Sequence, residues 1–119
     1  MSTNFQGMSV IIVTARNESH PLEISTIMYC ESCGDYTKFY GENSLPVTAC
    51  GWLKTHEEKL SSHGFIRIHH KYLVNPQYIK RFPYRSPDNQ VFLSNGTILK
   101  VSRQKKKSAY QKLKKYCEG

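Results

Sequence analysis

The chain has 119 residues, 39% of them hydrophobic, which is enough for one domain with a modest core and leaves little room for a second. No apolar run approaches the roughly 18–20 residues of a membrane-spanning helix, so a transmembrane helix is excluded. The formal charge of +8 is unevenly spread: residues 1–66 hold four Lys/Arg against seven Asp/Glu, a net of −3, and residues 67–119 hold thirteen against two, a net of +11. Such a field attracts a polyanion, nucleic acid first and an anionic membrane surface second.

Met1–Gly7 has no positive start and no apolar stretch behind it, so it is not a secretory signal. Asn4-Phe5-Gln6-Gly7 ahead of Met8 has the look of a protease-site or vector remnant, which leaves residues 8–119 as the functional domain. Val10–Val13 is a β-branched strand, Asn17–His20 carries turn chemistry, and Leu22–Tyr29 resumes as a strand. Cys33-Gly34-Asp35 breaks that run before Tyr36–Tyr40, a strand with Tyr36 and Tyr40 on one face, and Gly41-Glu42-Asn43 turns the chain. From Thr48, a possible cap, Ala49, Trp52, Leu53, His56 and Leu60 recur at helical spacing. Ser61–Gly64 ends that helix, Phe65–Ile68 is a strand, and Pro76 restricts Asn75 and prevents a long helix there. Ile79–Tyr84, Val91–Leu93 and Thr97–Val101 are further strands, the last two joined by the hairpin signal Asn95-Gly96. A final helix starts after Ser102, with Ala109, Tyr110, Leu113 and Tyr116 as its apolar stripe and six lysines on the remaining surface. The expected fold class is mainly β with two or three short helices and no helix-turn-helix.

Cys30 and Cys33 have a C-x-x-C spacing, but Cys50 and Cys117 stand apart and supply no second pair, so no metal and no other cofactor is expected. Without a secretory signal the thiols fit a reducing, cytoplasmic setting. No Gly-rich phosphate loop, nucleophile elbow or H-E-x-x-H is present, and no enzyme activity is expected. His69 and His70 are adjacent, so on a strand the two side chains point to opposite faces. The basic half interleaves cations with aromatic and hydrogen-bonding groups: Arg67, His69, His70, Lys71, Tyr72, then Arg81, Tyr84 and Arg85. Lysine and arginine neutralise phosphates, whereas directed donors read bases. Arg103 follows Ser102 at a helix start, where unpaired N–H groups favour a phosphate, and Lys105, Lys106 and Lys107 extend that charge. Phe65, Ile68, Leu73 and Val74 read as core, Asn75 as a turn former, and His69 as structural or as a contact.

Phe65-Ile-Arg-Ile-His-His-Lys-Tyr-Leu-Val-Asn75 closely resembles the signature F-x-R-V-H-R-S-Y-L-V-N of LytTR DNA-binding domains. Upstream, Ile27–Tyr36 resembles the family's I-x-Y-I-E-A-x-G-N-Y, and downstream Leu93–Arg103 resembles L-x-N-G-x-x-L-P-V-S-R, a collinear match over roughly residues 9–116. The resemblance implies packed β-sheets whose loops enter successive major grooves at direct-repeat promoter sites of double-stranded DNA. It places contacts at Tyr36 or Lys38, at His70 with Lys71, and at Arg103. It also implies a free monomer that pairs on tandem sites, with a receiver domain or sensor partner absent from this chain. Three positions depart from the pattern: His70 stands for the usual arginine or asparagine, Lys71 for serine and Lys100 for proline. Two alternatives remain open: an interaction module that offers its basic face to acidic proteins or anionic lipids, and a redox or metal role for Cys30 and Cys33.

Overall fold

Alternation of buried Ile11, Val13 and Ala15 with exposed Ile12 and Thr14 makes β2 (Met8–Ala15) a strand with one face in the core. The computed structural model describes residues 2–5 and 8–118. Ser2–Phe5 forms β1, antiparallel to β2, and the reading of residues 1–7 as a remnant otherwise falls on Met1, Gln6 and Gly7, outside the described residues. Arg16 and Asn17, both at positive φ (52° and 63°), make a two-residue hairpin into β3 (Glu18–Glu23). The turn is therefore tighter than Asn17–His20, because Glu18, Ser19 and His20 already pair with Ala15, Thr14 and Val13.

A 3₁₀ turn at Ile24–Thr26, closed by Thr26 Oγ1 donating to Glu23 O at 2.7 Å, splits the expected Leu22–Tyr29 strand. Beyond it run β4 (Ile27–Cys33), β5 (Tyr36–Gly41), β6 (Val47–Cys50), α1 (Leu53–Leu60), β7 (Ile66–His69) and β8 (Tyr72–Val74). The five strands form an antiparallel sheet in the order β6-β5-β4-β8-β7. The third sheet, ordered β11-β10-β9, consists of β9 (Ile79–Arg81), β10 (Gln90–Leu93) and β11 (Ile98–Lys100), and α2 (Arg103–Glu118) closes the chain.

The five-stranded sheet is the middle layer between two apolar clusters. On one side Cys30, Phe39, Ala49 and Leu73 meet Ile11 and Val13 of β2 and Leu53 and Leu60 of α1. On the other, Met28, Ile66, Ile68 and Val74 meet Val91, Leu93, Leu99 and Ala109. Phe65, Ile68, Leu73 and Val74 are all buried, as their apolar pattern predicts, and burying each such side chain is worth about 1.5–3 kcal/mol.

Thr48 does not cap a helix. It pairs with Lys38 in β6, Gly51 at φ 104° breaks the strand, and α1 starts only at Leu53. Ala49 and Leu53 bury in the same cluster from a strand and a helix, which imitates helical spacing in the sequence. Trp52 is 64% exposed, with Nε1 donating to Asp35 Oδ1 at 3.1 Å. Tyr116, expected in the helix core, is 48% exposed and packs over Gly64 near the end of α2. Strand β9 stops at Arg81 rather than Tyr84, because Phe82 and Tyr84 turn toward Tyr110 of α2.

Asn75 is more than a turn former. Its Oδ1 accepts from Gln77 N at 3.1 Å, and its buried Nδ2 donates to Ile27 O at 3.0 Å, 48 residues away. Asn75→Ala removes both bonds at a buried site and should lower unfolding free energy by about 1–3 kcal/mol in urea titration; an unchanged midpoint would contradict this.

His56 is buried, its Nε2 donates to Cys50 O at 2.9 Å, and Nδ1 has no partner among the described residues. Burial lowers its pKa from 6.5, so the fold holds the ring neutral. The unfolded chain then takes up the proton first, and stability is complete above about pH 6.5 and falls as pH drops toward the folded pKa. Thermal melting from pH 8 to pH 5 should show that decline in the wild type and a shallower one in His56→Gln.

Candidate nucleic-acid interface

Arg67 points from β7 to the α1 side of the sheet, where Nη1 meets Glu57 Oε1 at 2.6 Å. The rest of its guanidinium turns to the chain just ahead. Nε donates to His69 O at 2.8 Å and Nη2 to His70 O at 2.6 Å. The planar fork thus fixes the path of the β7–β8 turn, a use of arginine that lysine cannot copy. Arg67 is a positioning residue rather than a free cation, and neither it nor Glu57 was recognisable in that role from the sequence. The signal that could have found the pair is a carboxylate on the helix immediately before the signature strand.

The pairing of β7 with β8 shifts between Arg67 and His69, and β7 ends at His69 with His70 in the turn beyond, so strand alternation does not govern the two histidines. Their rings lie 4.3 Å apart at an interplanar angle of 34°, which corrects the expectation that they face opposite ways. Ser102 N donates to Ile68 O at 2.8 Å and ties the chain entering α2 to the same turn. Lys105 N in turn donates to Ser102 O at 3.1 Å, so Ser102 occupies the cap position and Arg103 is the first residue of the helix.

The β4–β5 hairpin reaches this turn from the other side, with Ser32 N donating to Lys71 O at 2.9 Å. Tyr36, Lys38 and Tyr40 share one face of β5, opposite buried Thr37 and Phe39. Tyr40 stacks on Tyr29 at 4.4 Å, Tyr29 meets Tyr72 edge-on at 6.2 Å, and Tyr72 lies 5.7 Å from His69. This aromatic row crosses four strands and ends at His70. Glu31 interrupts it with a negative charge: Oε1 accepts from Tyr40 O–H at 2.8 Å, and Oε2 lies 3.7 Å from Lys71 Nζ. Burial, with Glu31 second, pushes the Tyr29 phenol up to about 12, so it stays protonated.

His69 is the most informative titratable group here. Lys71 N donates to its Nδ1 at 3.1 Å, which requires Nδ1 without a proton and leaves Nε2–H as a directed donor. Burial lowers its pKa, and the charges of His70, Lys100, Lys71 and Arg67 push the same way. At neutral pH the ring is a neutral, oriented donor set among cations.

The expected contact residues are not equivalent. Tyr36 is half-exposed, and His70, Lys71, Arg103 and Lys107 are exposed, while Lys38 and Lys105 are partly buried. Lys106 is committed elsewhere: Nζ donates to Ser86 O at 2.7 Å and to Asn89 Oδ1 at 3.0 Å. Arg81 lies over the Phe92 ring at 4.4 Å. The side chains of Arg67, Lys71, Arg81 and Lys106 therefore have protein partners, whereas those of Lys100, Arg103, Lys105 and Lys107 make no hydrogen bond or ion pair among the described residues.

The C-x-x-C pair does not form a chelate. Cys30 is buried in the core, where burial pushes its thiol pKa up, and Cys33 is exposed at the end of β4. No cluster of three His, Cys, Asp or Glu suited to a metal occurs among the described residues. No helix among them is long and apolar enough to cross a membrane.

Comparison with known proteins identifies the family. The family model of the LytTr DNA-binding domain matches residues 17–114. A solved LytTr DNA-binding domain from Bacillus cereus, described as part of a methyl-accepting/DNA response regulator, superposes with a TM-score of 0.70 at 28% identity. That match covers 87% of this chain and 94% of the other. No curated protein matches the chain. With the mostly β architecture, the signature strand and a family match across most of its length, the chain belongs to the LytTR family of DNA-binding domains.

Proposed function

We propose that this domain binds double-stranded DNA sequence-specifically, as a bacterial transcription regulator acting in the cytoplasm. It reads direct-repeat promoter sites from the major groove, is monomeric when free and pairs on tandem sites. Its input comes from a receiver domain or sensor partner outside these 119 residues. The reading is supported above all by one observation: Ser102 N bonded to Ile68 O fastens the chain entering α2 to β7, the strand that leads into His69 and His70.

The chemistry divides by type. Arg103 offers the bidentate donor geometry that suits guanine O6 and N7, and His69 Nε2–H and His70 suit single acceptors on base edges. Tyr36, Lys38 and Lys71 flank them from the β4–β5 side, with Lys71 drawn partly back by Glu31. Lys105 and Lys107 supply phosphate charge without sequence information.

In-vitro selection from a random duplex library at about 0.15 M salt tests the reading, because non-specific attraction is screened there. The expected outcome is a short motif recovered as a direct repeat. Enrichment of nothing by a folded protein would sink it in favour of an interaction module for acidic proteins or anionic lipids. On the recovered site, Arg103→Ala should cost about 1–3 kcal/mol of binding with the melting temperature unchanged. Replacing Lys105 and Lys107 with alanine should instead weaken specific and scrambled duplexes alike and flatten the salt dependence. A loss confined to the specific duplex would contradict a phosphate role for that pair.

A further inference from the structure

The segment from Phe82 to Asn89 has no regular structure, yet it is fastened to α2 at several points. Tyr84 stacks on Tyr110 at 4.3 Å and 7°, and Phe82 meets the same ring edge-on at 5.8 Å. Lys106, one turn before Tyr110, donates through Nζ to Ser86 O and Asn89 Oδ1, and lies 5.8 Å from the Tyr84 ring centre. Val101 N donates to Asn89 O at 2.9 Å, which anchors the far end of the loop just before α2. Loops that only connect strands seldom receive this much side-chain investment; a loop held rigid on a scaffold is a common way to present a contact residue.

The residue presented is Arg85. It is exposed, has no partner among the described residues, and immediately precedes Ser86, whose carbonyl Lys106 holds. Arg103 and Lys107 lie on the adjoining exposed stripe of α2, four residues apart and so one above the other. Asp88 is exposed in the same loop, which leaves the loop neutral overall. Arg85 therefore contributes through position, not through bulk charge.

We propose that Arg85 is a phosphate contact on the duplex bound by Arg103, and that Lys106 is the positioning residue that holds its loop against α2. The proposal rests on the DNA-binding reading above. It also reassigns Lys106, expected from its place in the lysine run to touch DNA, to a role within the protein.

The test is the salt dependence of binding to one duplex and its scrambled counterpart, for wild type, Arg85→Ala, Arg85→Lys, Lys106→Met and the double variant Arg85→Ala/Lys106→Met. Losing one phosphate contact lowers the slope of log K against log salt by about 0.9. Arg85→Ala should show that reduction on both duplexes, so that between about 50 and 200 mM salt it loses about 3.5-fold less affinity than wild type. Arg85→Lys should restore the slope. Lys106→Met should lower it in part, and the double variant should match Arg85→Ala alone, since both changes remove the same contact. If wild type binds with a steep slope that Arg85→Ala leaves unchanged, this inference falls and the DNA-binding reading stands. Additive losses in the double variant would make Lys106 a contact in its own right and overturn its positioning role. A wild type that binds neither duplex would overturn both readings.

Discussion

The guanidinium of Arg67 joins three parts of the molecule that the chain itself leaves separate. It reaches Glu57 on α1, the carbonyl of His69 at the end of β7, and the carbonyl of His70 in the turn beyond. Hydrogen bonds to charged groups of this kind contribute about 1.5–3 kcal/mol each, more than ordinary pairs, and their geometry is directional. The turn is consequently a fixed shape, not a flexible connection. Next to it lie the register shift between Arg67 and His69, the bond from Lys71 N to His69 Nδ1, and the bond from Ser102 N to Ile68 O.

Around this turn the basic residues divide into those that build the surface and those that it offers. Arg67 and Lys106 shape loops, Arg81 packs on Phe92, and Lys71 is shared with Glu31. Among the described residues, the side chains of Lys100, Arg103, Lys105 and Lys107 make no such hydrogen bond, ion pair or ring contact. The net charge of the second half thus overstates what is available to a partner, and the position of each cation matters more than their number. A neutral His69 within that field adds a directed donor, which simple polyanion attraction would not require.

Much of this was legible in the sequence. Period-two apolar patterns located most strands, and the run Phe65–Asn75 identified both the central hairpin and the family. Other features were hidden for physical reasons. Ala49 and Leu53 bury against one core from different elements, so their four-residue spacing imitates a helix. The strand ends at His69 and His70 already belongs to the turn, so the alternation that would part the two rings does not apply. The lysine run reads as uniform charge, and only the loop folded against α2 distinguishes Lys106 from its neighbours. Tyr116 fits the apolar stripe of α2 but lies near the end of the helix, where it covers Gly64 and remains half in solvent.

DNA binding is proposed for the edge formed by the β7–β8 turn, the β4–β5 hairpin and the start of α2. The most direct measurement is a backbone-amide NMR titration of the protein with a short duplex. Binding there should put the largest shift changes on Tyr36, Lys38, His69–Lys71 and Arg103, with little change in β2, β3 or α1. Changes centred on β2 and β3, or spread evenly over the exposed lysines of α2 with the β7–β8 turn unaffected, would contradict it.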